Sequence, residues 1–253
     1  MGAGDLSAGP PFSGALFIPS YRPARVGAWN VQIIPMSIQP GYWSEPALLR
    51  DLPILLCGDE PWMAISALEI ESQEIGIRLA RGHVLVFGLG MGWAAAAAAA
   101  NPSVSRVTVV ERDGDVIALH RALDPFAQLP EAARAKLRLV EGDAFAYAPD
   151  RPVDLLMPDI WRPLVSDGRL DDVRRMQDKV GAAGIYFWGQ ELEIARHAVA
   201  AGRGIDDDGM KACIAATGLP LVGADYPGYA QKSEAAARRW MRDRWLPGHP
   251  PPW

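Results

Sequence analysis

Between Ser66 and Ala201 short apolar runs alternate with helix-forming segments, and that alternation restricts the chain to few architectures. Val84 to Phe87, Val107 to Val110, Leu137 to Val140, Val153 to Met157 and Ile185 to Phe187 read as strands. Between and after them come segments that read as helices: Trp93 to Ala100, Asp115 to Leu123, a short helix around Phe145, Leu170 to Val180, and Glu191 to Ala201. Near-continuous apolar strands, each followed by a helix, belong to a parallel sheet covered on both faces. The expected fold is therefore α/β, a doubly wound, Rossmann-like, mostly parallel sheet.

The flanks read differently. Residues 1–14 are rich in Gly, Pro and Ser and suggest a flexible arm. Over 15–62 short apolar runs are separated by proline and glycine clusters, which predicts a small β-rich N-terminal extension. Ser66-Ala67-Leu68-Glu69 fits a capping box at the start of a helix that would stop near Gly82, so the doubly wound domain is placed at 63–204. Residues 205–253 predict a C-terminal helical extension, with helices near Asp208 to Thr217 and Gln231 to Leu246.

Composition narrows the function. With 49% hydrophobic and 22% charged residues the chain can bury a sizeable core. A formal net charge of −5 argues against nucleic acid or an anionic membrane as partner. Cys57 and Cys213 are too few for a disulfide framework, and the scattered histidines His83, His120, His197 and His249 lack metal-ligand spacing, so no metal is expected. The basic run from Lys232 to Arg244, interleaved with Trp240 and Trp245, reads as an amphipathic docking helix with a solvated face. The N-terminus lacks a basic start and apolar stretch, and the uncharged run Val84 to Ala100 is short of the roughly 20 residues of a membrane span. A cytoplasmic protein is the expectation, with a homodimer left open.

One constellation carries chemistry. The strand Val84 to Phe87 runs into Gly88-Leu89-Gly90-Met91-Gly92 and then a helix. Glycines in that context let the backbone approach a ligand and aim amide donors at it from a helix N-terminus. The next strand ends at Glu111-Arg112-Asp113, about 20 residues on, where an acidic side chain reaches a ribose diol in nucleotide-binding folds.

These residues resemble class I S-adenosylmethionine-dependent methyltransferases, and within them the spermidine-synthase-like branch. The resemblance runs through Val84 to Trp93, Val107 to Asp113, Leu137 to Ala144 and Asp154 to Asp159. It implies a cofactor, S-adenosylmethionine or its decarboxylated form, held by Gly88, Gly90, Met91, Gly92, Glu111, Arg112, Asp143, Ala144 and Asp159. It puts Glu111 on the ribose, Asp143 and Ala144 at the adenine, and Asp159, Ile160 and Trp161 beside the reacting group. Asp159 is the candidate general base, and the small-molecule acceptor is expected near Gln73, Trp161, Gln190 and Glu191. Glu69, Ser72 and Gln73 precede the glycine strand, where the resemblance puts the donor's amino-acid end; a solvated helix face explains them equally well.

Spermidine synthases carry an acidic residue where this chain has Met91 and another where it has Arg162. Losing two carboxylates that hold cationic amines favours methyl transfer over aminopropyl transfer. A non-catalytic nucleoside-binding protein is the third reading.

Overall fold

The computed structural model describes residues 10–251 and Trp253; residues 1–9 of the expected arm and Pro252 of the proline tail lie outside the described residues. The first structured unit is an antiparallel sheet of β1 (Ala24–Val26), β2 (Trp29–Gln39), β3 (Ala47–Cys57) and β4 (Glu60–Ala64), in that order. Its two middle strands are longer than the proline spacing suggests. Pairing runs from Trp29↔Cys57 to Gln39↔Ala47, although Pro35 and Pro53 sit inside the strands. β1 covers β2 only at Trp29 to Val31, and β4 covers β3 only at Ile54 to Cys57. The rest of the ribbon has open edges, where a residue without an N–H is tolerated.

Helix α1 (Ala67–Leu79) follows, then the main sheet begins with β5 (Gly82–Phe87), α2 (Trp93–Ala100), β6 (Val104–Glu111), α3 (Gly114–Leu123), the short α4 (Glu131–Arg134) and β7 (Leu137–Glu141). The other half holds β8 (Leu155–Pro158), α5 (Arg169–Val180), β9 (Gly184–Ile185) and α6 (Gln190–Ala200), and the chain closes with α7 (Asp207–Thr217) and α8 (Tyr229–Trp240). The five main strands are parallel in the order β7-β6-β5-β8-β9. This is the doubly wound sheet expected from the sequence. The chain builds outward from β5 through β6 to β7, then crosses to β8 on the other side, so the topological switch lies between β5 and β8. Ligands in open α/β sheets collect there, beyond the strands' carboxyl ends.

Several local expectations are corrected. Ser66 is the N-cap of α1, but its side chain makes no capping hydrogen bond, because Glu69 turns inward to accept from Trp93 Nε1 at 2.9 Å. α1 stops at Leu79, and Gly82 instead opens β5. Around Phe145 there is only a turn, in which Asp143 Oδ1 accepts from Phe145 N at 2.9 Å. β9 is two residues long and continues only through an isolated bridge from Ile185 to Leu221. α8 ends at Trp240, short of Leu246.

Beyond Trp93, α2 lies close on the sheet because its side chains are methyl groups. Ala95 to Ala99 are all at most 2% exposed, and larger residues there would force the helix away. Its C-terminus is closed by two polar groups. Lys136 Nζ donates to the carbonyls of Ala99 and Asn101, satisfying helix-end acceptors. Fully buried Asn101 donates to Ile77 O and Ala80 O and accepts from Ser103 N. Polar contacts tie the N-terminal sheet to the rest of the chain: Trp29 Nε1 of β2 donates to Asp113 Oδ2, just beyond β6, at 2.8 Å, and Trp240 Nε1 of α8 donates to Tyr42 O in the β2–β3 connection at 3.0 Å. Among the described residues no helix is long and apolar enough to cross a membrane.

Asn101→Ala takes the side-chain donor from the Ala80 carbonyl at the α1 to α2 junction, while the Ile77 carbonyl keeps Ala80 N, and one such loss costs on the order of 1–3 kcal/mol. Urea denaturation should show a stability loss of about 1–3 kcal/mol; a change below 0.5 kcal/mol would show that the Ala80 carbonyl finds another partner.

Candidate active site

A cleft with about 790 Å³ of free space, its mouth included, opens at the carboxyl ends of β5, β6 and β8. Its floor is the glycine loop. Gly88 has φ +94°, and a Cβ there would run into the Asp159 carbonyl oxygen, so this strand end can pass β8 only as glycine. Gly88 N donates to Val110 O, and Asp159 N to Phe87 O, which continues the sheet ladder into the site.

Glu111 ties the loop down. Its Oε2 accepts from Leu89 N and its Oε1 from Asp113 N, both at 2.9 Å. A carboxylate has about four lone-pair positions, so those two bonds leave acceptor capacity toward the cleft.

Asp159 stands at the end of β8, where Gln73 Nε2 donates to its Oδ2 at 2.9 Å. Glu69 also lines the cleft and is only 6% exposed. Burial pushes the Glu69 carboxyl up to about 8, the neighbouring Asp159 charge adds to the rise, and the Trp93 hydrogen bond opposes it. Burial likewise pushes Asp159 up to about 7, against the pull of the Arg169 charge and the Gln73 hydrogen bond. Two carboxyls facing one low-dielectric space do not both ionise readily, so near neutral pH the pair retains a proton.

The cleft brings together Gly88, Gly90, Glu111, Arg112, Asp143, Ala144, Asp159 and Trp161 from the residues expected by sequence. Trp161 is held by its Nε1 bond to Asp172 Oδ2 at 3.0 Å and by the Arg169 guanidinium, 4.1 Å from its ring centroid.

Four expected residues lie elsewhere. Met91 is packed behind the loop, 2% exposed, with its carbonyl accepting from Tyr21 OH at 3.1 Å. Gly92 is the N-cap of α2, and its α-carbon faces the buried His120 ring rather than the cleft. Gln190 donates to Val222 O and Tyr229 OH, packing against the C-terminal extension. Glu191 is fully buried and accepts from Tyr186 OH at 2.5 Å and Tyr42 OH at 3.3 Å. The first turn of α6 points into the interior because Gly189, its left-handed N-cap, is packed against the Leu164 carbonyl. Gln73 touches Asp159 rather than lining the cleft, and Glu69, Ser72 and Gln73 are all buried, which corrects the solvated-face reading.

Sequence reasoning missed Trp62 and Met63, which reach the cleft from β4. Their signal was weak: an isolated Trp-Met pair after the Gly58-Asp59-Glu60-Pro61 turn. Arg162 sits outside, bonded to Glu60 Oε2 at 2.6 Å and 5.4 Å from the Trp62 ring centroid.

No family model and no curated protein matches the chain. Among solved structures, the glycopeptide N-methyltransferase MtfA with S-adenosylmethionine is similar at 25% identity, with 44% of this chain and 43% of that one covered and a TM-score of 0.34. DhpI in a SAM–HEP complex is similar at 22% identity over 46% of this chain and 51% of that one, TM-score 0.33. The methyltransferase domain of a bacterial Hen1 is similar at 18% identity over 42% and 59%, TM-score 0.33. This chain thus spans about half the length of these chains, and the fold assignment stands on strand order and register.

The raised carboxyls set the sign of a pH effect. A group whose folded pKa exceeds its unfolded value makes folding less favourable as pH climbs from the unfolded value through the folded one. For Glu69 that window runs from the ordinary value of 4.5 to about 8. Unfolding of the ligand-free chain should lose stability across it, and Glu69→Gln should remove part of that slope, on the order of 1–2 kcal/mol at pH 8. Parallel pH profiles for wild type and variant would refute the assignment.

Proposed function

We propose that the chain is an S-adenosylmethionine-dependent methyltransferase acting on a small-molecule acceptor. The observation that carries this reading is Glu111, held at the end of β6 by two backbone amides with acceptor capacity left toward the cleft beside a glycine loop. A second observation favours this cofactor over a dinucleotide. Glu69, Glu111, Asp143 and Asp159 line the cleft, and even with one proton kept by the Glu69–Asp159 pair they outweigh Arg112, the one cation among the described residues that line it, a field that suits a sulfonium and repels a pyrophosphate.

When bound, S-adenosylmethionine supplies a methyl group activated by its cationic sulfur. The chain's own contribution is alignment and proton handling. The glycine loop admits close approach, Glu111 is available to the ribose hydroxyls, and Asp143 and Ala144 border the adenine end. Gln73 fixes one oxygen of Asp159 and leaves the other to take the acceptor's proton as the new bond to carbon forms, which is worth about 10²- to 10⁴-fold where that proton must leave. Trp161 and Trp188 wall the acceptor side.

Aminopropyl transfer, the spermidine-synthase-like reading, fits less well. Met91 is turned away from the cleft and Arg162 is engaged by Glu60, so neither position offers a carboxylate to an amine.

Calorimetry with S-adenosylmethionine and S-adenosylhomocysteine should give saturable binding, weakened at least about tenfold by Glu111→Ala, the loss of one charge-assisted bond. No binding to wild type would sink the proposal. Asp159→Asn should depress kcat far more than donor affinity, and the wild-type kcat/KM should rise with pH through about 7 as Asp159 of the free enzyme ionises, with the midpoint for kcat lower because the cationic donor favours the carboxylate. A preference for decarboxylated donor would favour aminopropyl transfer instead.

A further inference from the structure

The segment from Pro10 to Pro23 has no regular secondary structure, yet it is fastened to the main domain along its length. Phe12 N donates to Arg78 O at 2.8 Å, and Arg78 Nη1 donates back to Phe12 O and Gly14 O at 2.9 and 3.0 Å, which ties one end to the last turn of α1. Further on, Ser20 N donates to Gln128 Oε1 and Gln128 Nε2 to Ser20 O, both at 2.8 Å. Arg22 Nη2 donates to Ala122 O at 2.6 Å, near the end of α3. Between these ties Leu16, Phe17 and Tyr21 pack on the core.

Tyr21 connects this strap to the glycine loop. Its hydroxyl donates to Met91 O at 3.1 Å. Burial pushes that hydroxyl up from its ordinary value and the Glu69 charge adds to the rise, so it stays protonated, and therefore a donor, well above neutral pH. Met91 stands between Gly90 and Gly92, whose φ angles are +50° and +80°. Glycine conformers interconvert readily, so nothing local fixes the peptide planes beside Met91. The peptide that joins Met91 to Gly92 is nevertheless held at both ends, its carbonyl by Tyr21 and its N–H by Leu89 O at 2.8 Å. Glu111 anchors the preceding stretch through Leu89 N. Gly90, between the two anchors, borders the cleft.

We propose that Tyr21 is a positioning residue for the donor: through the Met91 carbonyl it holds the glycine loop in the orientation in which Gly90 borders the cleft, so the N-terminal strap sets the fraction of ligand-free chains ready to bind. The proposal rests on the methyl-transfer reading, in which this loop holds S-adenosylmethionine. Tyr21 acts on a population rather than on the ligand. A loop that samples a second orientation binds with an apparent affinity reduced by the fraction in the competent one. Loss of one neutral hydrogen bond shifts such an equilibrium by about three- to tenfold.

Tyr21→Phe keeps the ring and its packing and removes only the hydroxyl. Calorimetry of the full-length variant with S-adenosylmethionine should show Kd raised about three- to tenfold at an unchanged number of sites per chain. A chain that is merely less well folded would instead lose sites at constant Kd. Asn101→Ala loosens the opposite end of α2 and should keep the wild-type Kd. In the ligand-free chain, amide exchange followed by mass spectrometry should accelerate over residues 88–93 in Tyr21→Phe, by about the same factor, and stay unchanged over α5 to α8. Absence of donor binding by the wild type would overturn the methyl-transfer reading itself. Wild-type binding matched by Tyr21→Phe, a loss of sites alone, an equal weakening in Asn101→Ala, or unchanged exchange over the loop would each overturn the assignment of Tyr21.

Discussion

Two backbone amides on one carboxylate hold the site together. Glu111 receives Leu89 N from the loop after β5 and Asp113 N from the turn after β6, so the ends of two neighbouring strands converge on a single side chain. The hydrogen bonds are charge-assisted and replace water on amides that the glycine loop would otherwise present to solvent. The same turn carries Asp113, which caps α3 through Asp115 N and accepts from Trp29 Nε1 of the N-terminal sheet. Loss of that carboxylate would therefore loosen the loop, the ligand's edge of the cleft and the neighbouring docking contact together.

The opposite wall is governed by burial. Glu69, Ser72 and Gln73 occupy the inward face of α1, and each has a named partner: Trp93 for Glu69, Trp188 and the Glu69 carbonyl for Ser72, Asp159 for Gln73. Burying carboxyls costs stability unless they are protonated or matched by a cation. The raised Glu69 and Asp159 values express that cost. A cationic ligand would lower both, so ligand affinity and the protonation of this pair are linked, each driving the other.

What the sequence disclosed follows from range. The apolar runs of β5, β6 and β8 and the glycine loop are local patterns, and their order along the chain dictates a parallel sheet with its switch between β5 and β8. Glu111 and Asp159 were legible because each ends a strand, where direction is fixed by the ladder. Met91 and Gly92 were not, since which residue of a loop turns inward depends on contacts with Tyr21 and His120, distant in sequence. Gln190 and Glu191 follow a strand too, but Tyr42 and Tyr229, from opposite ends of the chain, draw them inward. The buried face of α1 was hidden for a different reason: a polar run on a helix looks solvated until Trp93 of α2 and Trp188 in the loop before α6 supply indole donors for it.

The cover over the cleft is what distinguishes this chain's site from a bare nucleotide-binding sheet. β4 is short, yet it delivers Trp62 and Met63 to the mouth, and Met63 Sδ fills the space that a side chain at Gly90 would need. Trp62 packs edge-on against Trp29, whose indole is in turn fixed to Asp113, so the lid's position is referenced to the same turn that Glu111 holds. Arg162 and Glu60 close the rim from outside, but both are about half exposed or more, and such a pair contributes at most about 1 kcal/mol. The aromatic contact therefore sets where β4 sits over the cleft, and the ion pair adds little to it. Trp62, Trp161 and Trp188 thus give the cleft aromatic walls above its carboxylates, and under the methyl-transfer proposal such a lining suits a flat or apolar acceptor whose reacting end carries or develops positive charge.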